Sequence, residues 1–174
     1  MGRRFSKTLG RKTHGNPQAN ISTLNEDEAL ALLDELSEVP FLLILDQLQD
    51  PRNLGACLRS ADAAGVNLVI MSSDRSASLT DVVRHVAAGA AEALPLARVR
   101  NLARFMKELN ERGIKMVGTS DQAKSTIFDS DLKGPLALVV GAEGTGIRRL
   151  TADNCDVLMN IPMGGTVECL NVSV

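Results

Sequence analysis

Short apolar runs alternate along this chain with longer stretches whose apolar positions recur every three or four residues. Continuous runs cover residues 41–45, 68–71 and 136–140, and interrupted ones fall at 94–99, 115–118 and 157–161. A strand apolar at successive positions has no face for solvent, so these read as strands buried on both sides. Asn25 can cap a helix whose apolar residues Ala29, Leu32, Leu33 and Leu36 fall at helical spacing and which ends before Pro40. Further helices are predicted over 54–64, 80–91 and 102–112, the last stopped by Gly113, with a short helical turn around 146–150. Strands alternating with helices predict an α/β domain built on a mostly parallel sheet flanked by helices. The small residues at 87–91 allow close packing of a helix, and core packing accounts for them.

Composition narrows the picture. A chain of 174 residues holds one domain with a substantial core. Four Phe and no Trp or Tyr leave little material for an aromatic base-stacking platform. The net charge of −2 provides no global basic field, so a nucleic-acid contact must come from local clusters. Arg3, Arg4, Lys7, Arg11 and Lys12 form one such cluster, without an acid among the first 12 residues. Residues 1–24 are expected to be a basic flexible tail, either simply solvated or acting as a phosphate-binding arm, ahead of a folded domain over 25–174. Cys57, Cys155 and Cys169 are widely spaced, as are His14 and His85, so neither disulfides nor a metal site is expected. With no membrane span or signal-peptide core in the sequence, a cytoplasmic location is expected.

Candidate chemistry gathers in three polar segments. The first is Asn53-Leu-Gly55-Ala-Cys-Leu-Arg59, the second Gly141-Ala-Glu143-Gly144-Thr-Gly146, and the third runs from Ile161 through Leu170 and Asn171 to Val174. The first two follow strand-like runs, and turns at the ends of parallel strands are where α/β proteins usually hold ligands. Neither a dinucleotide glycine fingerprint after the first strand nor a Walker lysine loop is present. Glycines at 141–146 without a phosphate-loop lysine suit either close backbone approach to a phosphate-free ligand or a plain turn. Asn53 and Arg59 are expected to face one end of the sheet, where Glu143 could pair with Arg59 or form an ordinary surface ion pair.

Together the three segments resemble the SpoU (TrmH-like) family of the SPOUT superfamily, S-adenosylmethionine-dependent RNA ribose 2′-O-methyltransferases. The stretch Asp50-Pro-Arg-Asn-Leu-Gly-Ala-Cys-Leu-Arg-Ser-Ala-Asp-Ala-Ala-Gly-Val66 is especially similar to the bacterial 23S rRNA guanosine 2′-O-methyltransferase branch. The resemblance covers roughly residues 40–174 and implies a C-terminal trefoil knot, a homodimer and S-adenosylmethionine as cofactor. It implies that Asn53, Arg59, Glu143 and Asn171 line the reaction centre, and that Thr119, Gly141, Ile161 and Leu170 contact the cofactor. The family's usual serine before Leu-Asn is replaced here by Cys169, preceded by Glu168. In the family, Asn-Val-Ser-Val begins a long final helix, so the resemblance implies a domain lacking that helix and a knot left incomplete. The implied substrate is ribosomal RNA; the alternatives are transfer RNA, or an inactive RNA-binding remnant.

Overall fold

The computed structural model describes residues 21–166 and 169–174. The elements begin with α1 (Glu26–Asp34), β1 (Phe41–Asp46), α2 (Pro51–Ala63), β2 (Leu68–Ser72), α3 (Asp81–Ala87), α4 (Ala90–Ala93) and β3 (Leu96–Val99). Then follow α5 (Leu102–Glu111), β4 (Lys115–Thr119), β5 (Ser125–Thr126), a 3-10 turn (Ile127–Asp129), β6 (Leu136–Gly141), α6 (Arg149–Ala152) and β7 (Val157–Asn160). All strand pairs are parallel, in the order β3-β2-β1-β6-β4-β7-β5. The α/β architecture expected from the apolar runs is the one observed.

Alternation along the strands sorts the core into two layers. Leu42, Ile44, Leu68 and Ile70 pack with Phe105, Met106 and Leu109 of α5 and with Ala29 and Leu33 of α1. Their neighbours Leu45, Val69 and Met71 pack with Leu54 and Leu58 of α2 and Val83 of α3 on the other face. Both layers are needed because the strand interiors present apolar side chains at odd and even positions alike. Packing already begins at Ile21, which is buried, and Leu24 makes a parallel bridge to Ala97 on β3. The basic cluster of residues 1–12 lies outside the described residues, as does Glu168.

Helix starts follow their caps. Asn25 and Glu28 form a reciprocal capping box on α1. α2 begins at Pro51, three residues before the predicted start at 54, because Asp50 caps it and proline at the first helical position sacrifices no hydrogen bond. The predicted helix over 80–91 is broken: Ala88 (φ 52°) and Gly89 (φ 97°) turn left-handed between α3 and α4. The helical turn expected around 146–150 starts later, at Arg149, since Gly146 has φ 66°. Close packing falls at Gly55 rather than Gly89: a Cβ at Gly55 would lie 2.8 Å from the Val83 carbonyl oxygen, whereas one at Gly89 would meet nothing within 4 Å. β5, only two residues long and without an apolar run, left no pattern to read.

The carboxyl ends of the central strands share one edge. Register aligns Asp46 with Gly141, and Thr119 with Met159, placing the turns after β1, β4, β6 and β7 side by side. From β1 the chain goes to β2 on one side; from β6 it goes towards β7 on the other. Connections that diverge from adjacent parallel strands open a crevice between their carboxyl ends.

Candidate active site

Glu143 sits on the turn that follows β6, and its carboxylate joins the three segments. Its Oε2 accepts from Asn53 Nδ2 at 3.2 Å and its Oε1 from Asn171 Nδ2 at 2.8 Å. The Asn171 amide also donates to Asn53 Oδ1 at 3.2 Å, while Asn171 Oδ1 accepts from the Ser173 amide (3.0 Å) and hydroxyl (2.6 Å). Residues 90 and 118 positions from Asn53 thus meet it in one hydrogen-bonded cluster. The cluster is open to solvent, with Glu143 and Asn171 both exposed.

The end of the chain lies along one face of α2. Asn53, Cys57 and Ser60 fall at helical spacings of four and three, and they bind Asn171, the Val172 carbonyl (3.5 Å) and the Ser173 carbonyl (2.9 Å) in turn. Burial pushes the Cys57 thiol up to about 11, so it stays a neutral donor. Arg59 belongs to a different stripe. Six residues turn the helix by about 600°, leaving Arg59 roughly 120° around from Asn53. It is exposed and, among the described residues, forms no ion pair, so the expected pairing with Glu143 is absent. Glu143 uses both oxygens on amides instead, and Arg59 shares its exposed stripe with Arg52.

The other residues implied by the resemblance lie along the strand ends. Thr119 ends β4 half-buried, its hydroxyl donating to the Val139 carbonyl at 3.4 Å. Gly141 ends β6, and a Cβ there would overlap the Gly146 carbonyl and the Ile147 nitrogen. Its glycine is therefore required by the turn folding back on itself, independently of any ligand. Ile161 follows β7 and Leu170 precedes Asn171; both are apolar yet 43% and 44% exposed. No residue pattern singled out Asp46, which is completely buried and paired with Arg148, or Asn160, whose Nδ2 donates to the Ala123 carbonyl at 2.6 Å. A carboxylate ending an otherwise apolar run was the available signal for Asp46.

Residues 40–174 match the model of the SpoU rRNA Methylase family. The chain belongs to that family. Among relatives of this SpoU domain, a 23S rRNA (guanosine-2′-O-)-methyltransferase RlmB from Pectobacterium atrosepticum is 58% identical over 149 residues, 86% of this chain and 61% of the relative. The protein of that name from Pseudomonas aeruginosa is 48% identical over 180 residues, spanning all of this chain and 73% of the relative. The SpoU methyltransferase AviRb from Streptomyces viridochromogenes, solved in complex with the cofactor AdoMet, superposes with a TM-score of 0.73 at 28% identity, over 80% of this chain and 57% of that one. The SpoU domain described here spans about three-fifths of the length of the first relatives it matches.

Proposed function

We propose that this chain is the catalytic part of an S-adenosylmethionine-dependent methyltransferase acting on a ribose 2′-hydroxyl, a guanosine of ribosomal RNA, in the cytoplasm. The observation that carries it is the meeting of Asn53, Glu143 and Asn171 at the crevice between β1 and β6. Ribosomal RNA is favoured over transfer RNA because relatives 58% and 54% identical to this chain carry 23S rRNA in their names. The division into a basic tail over 1–24 and a catalytic domain over 25–174, the homodimer and the knot belong to the same proposal.

The strand-end residues suit a phosphate-free, partly apolar ligand. Ile161 and Leu170 offer exposed apolar surface, and Thr119 offers a hydroxyl. Among the described residues Asn160 Oδ1 is buried without a hydrogen-bond partner, an acceptor suited to an exocyclic amine. Thr119, Gly141, Ile161 and Leu170 would therefore hold S-adenosylmethionine, which supplies an electrophilic sulfonium methyl group. Arg59 cannot serve as a base, since a guanidinium stays protonated in proteins. Exposed on α2, it would clamp an RNA phosphate and stabilise negative charge developing on the 2′ oxygen. Glu143 holds the amide groups of Asn53 and Asn171, which orient the nucleotide. The hydroxyl proton passes to water or to the RNA phosphate.

Titration calorimetry with S-adenosylmethionine tests the reading. One site per chain is expected, weakened at least about tenfold by Ile161→Asp, which puts a charge into an apolar contact. Arg59→Ala should bind the cofactor as the unaltered chain does, because its work is on RNA. Absence of binding at millimolar cofactor would end the proposal.

A further inference from the structure

Glu143 is exposed on a glycine-rich turn, yet both of its oxygens are committed to groups on other segments. Gly144 (φ 77°) and Gly146 (φ 66°) let that turn take many shapes, so something must select one. Within the turn, the Gly146 amide donates to the Ala142 carbonyl at 2.8 Å. The stronger restraint comes from outside. Asp46, last residue of β1 and fully buried, accepts two hydrogen bonds from Arg148, the residue preceding α6, and forms an ion pair with its guanidinium. Its Oδ2 accepts from the Arg148 backbone N–H at 2.9 Å and its Oδ1 from the guanidinium Nε at 2.8 Å, with Nη2 in ion-pair contact 2.6 Å from the same oxygen.

We propose that Asp46 and Arg148 are positioning residues, a strut that sets the turn between β6 and α6 so that Glu143 reaches Asn53 and Asn171 together. The turn leaves the sheet at Gly141, in register with Asp46, and ends on the Asp46 carboxylate. Both of its ends are thus referred to one residue. That residue also leads, through residues 47–50, into the helix that carries Asn53. The frame of Glu143 is locked to the frame of Asn53. A fold staple alone would not need this chemistry, because apolar side chains could fill the space without the cost of burying a carboxylate. What the ion pair adds is direction: it fixes the backbone and the side chain of Arg148 at once. The inference rests on the proposed function above for its catalytic consequence, and on geometry alone for the restraint.

Arg148→Lys is the informative variant, since it keeps the charge but loses the planar guanidinium whose Nε–H donates to Asp46 Oδ1. Its kcat for RNA methylation should fall about 10- to 100-fold, the scale of a misplacement near 1 Å, with KM for S-adenosylmethionine little changed. In a Glu143→Ala background the same substitution should change kcat by less than about twofold, because the two act as a unit. A merely structural role would lower the folded fraction in both backgrounds and leave kcat per folded molecule intact, and that result would overturn the proposal. Hydrogen exchange at the Gly146 amide supplies a readout independent of activity. Protection there should drop at least about tenfold in Arg148→Lys and in Asp46→Asn. Unchanged protection would overturn the strut. Lost protection in a chain that transfers no methyl group would support the strut while removing the functional reading.

Discussion

Leu42, Ile44, Leu68 and Ile70 in the middle of the sheet have no solvent exposure, whereas at the end of the chain Asn171 is exposed and Val174 is 88% exposed. The strands are held by non-directional burial on two faces. The terminal segment is held by directional bonds, from Asn53, Cys57 and Ser60 of α2 and from Glu143. Each such bond contributes on the order of 1 kcal/mol, against about 2–5 kcal/mol for a large core side chain. Stability and chemistry are thereby placed in different parts of the molecule. The sheet can hold its edge rigid while the polar groups of the candidate site stay in water, fixed in direction at little energetic cost.

Substitutions in the two regions should behave differently. Phe105→Ala empties a fully buried site and should cost about 3–5 kcal/mol in denaturant unfolding. A cost below about 1 kcal/mol would mean that the core is not where the stability lies. Asn171→Ala should do the reverse: unfolding shifts by about 1 kcal/mol, while methyl transfer falls about 100-fold. Equal losses in both measurements would erase the contrast. Ser60→Ala removes the hydroxyl bound to the Ser173 carbonyl. It should cost about 1 kcal/mol or less, with faster amide exchange confined to residues 171–174.

A separate effect concerns pH. Burial pushes the Cys57 thiol from 9.0 to about 11, and burial with the Asp156 and Asp46 charges pushes Cys155 to about 12. Unfolded thiols lose their protons first, so the folded state holds more protons above pH 9.0 and stability falls as pH rises towards 11 and 12. Urea midpoints should decline over that range, less steeply in Cys57→Ala. A rising midpoint would contradict the burial of these thiols. At neutral pH, a thiol reagent should label exposed Cys169 well before Cys57.

Much of the fold was legible from local pattern. β1, β2 and β6 are continuous apolar runs, and their interiors lie in the core. Asp50-Pro51 marks a capped helix start that apolar periodicity alone placed too late. The break between α3 and α4 was not legible, because an alanine carries the first left-handed turn there. Within the site, local spacing misled at Arg59: proximity along α2 does not put two side chains on one face. The meeting of Asn53, Glu143 and Asn171 came from family resemblance, since nothing local encodes contacts over 90 and 118 residues. Asp46 and Arg148, 102 residues apart, belong to the same class of fact and carried no motif at all.

The central claim is that three remote segments converge on Glu143 to deliver a methyl group to a ribose oxygen. Unmethylated 23S rRNA incubated with this chain and methyl-labelled S-adenosylmethionine, then hydrolysed in alkali, tests it most directly. A methylated 2′ oxygen cannot attack the neighbouring phosphate, so the label is expected in alkali-resistant dinucleotides beginning with guanosine, and nearly absent with Glu143→Ala. Label recovered on bases in ordinary mononucleotides, or dinucleotide label undiminished by Glu143→Ala, would contradict it.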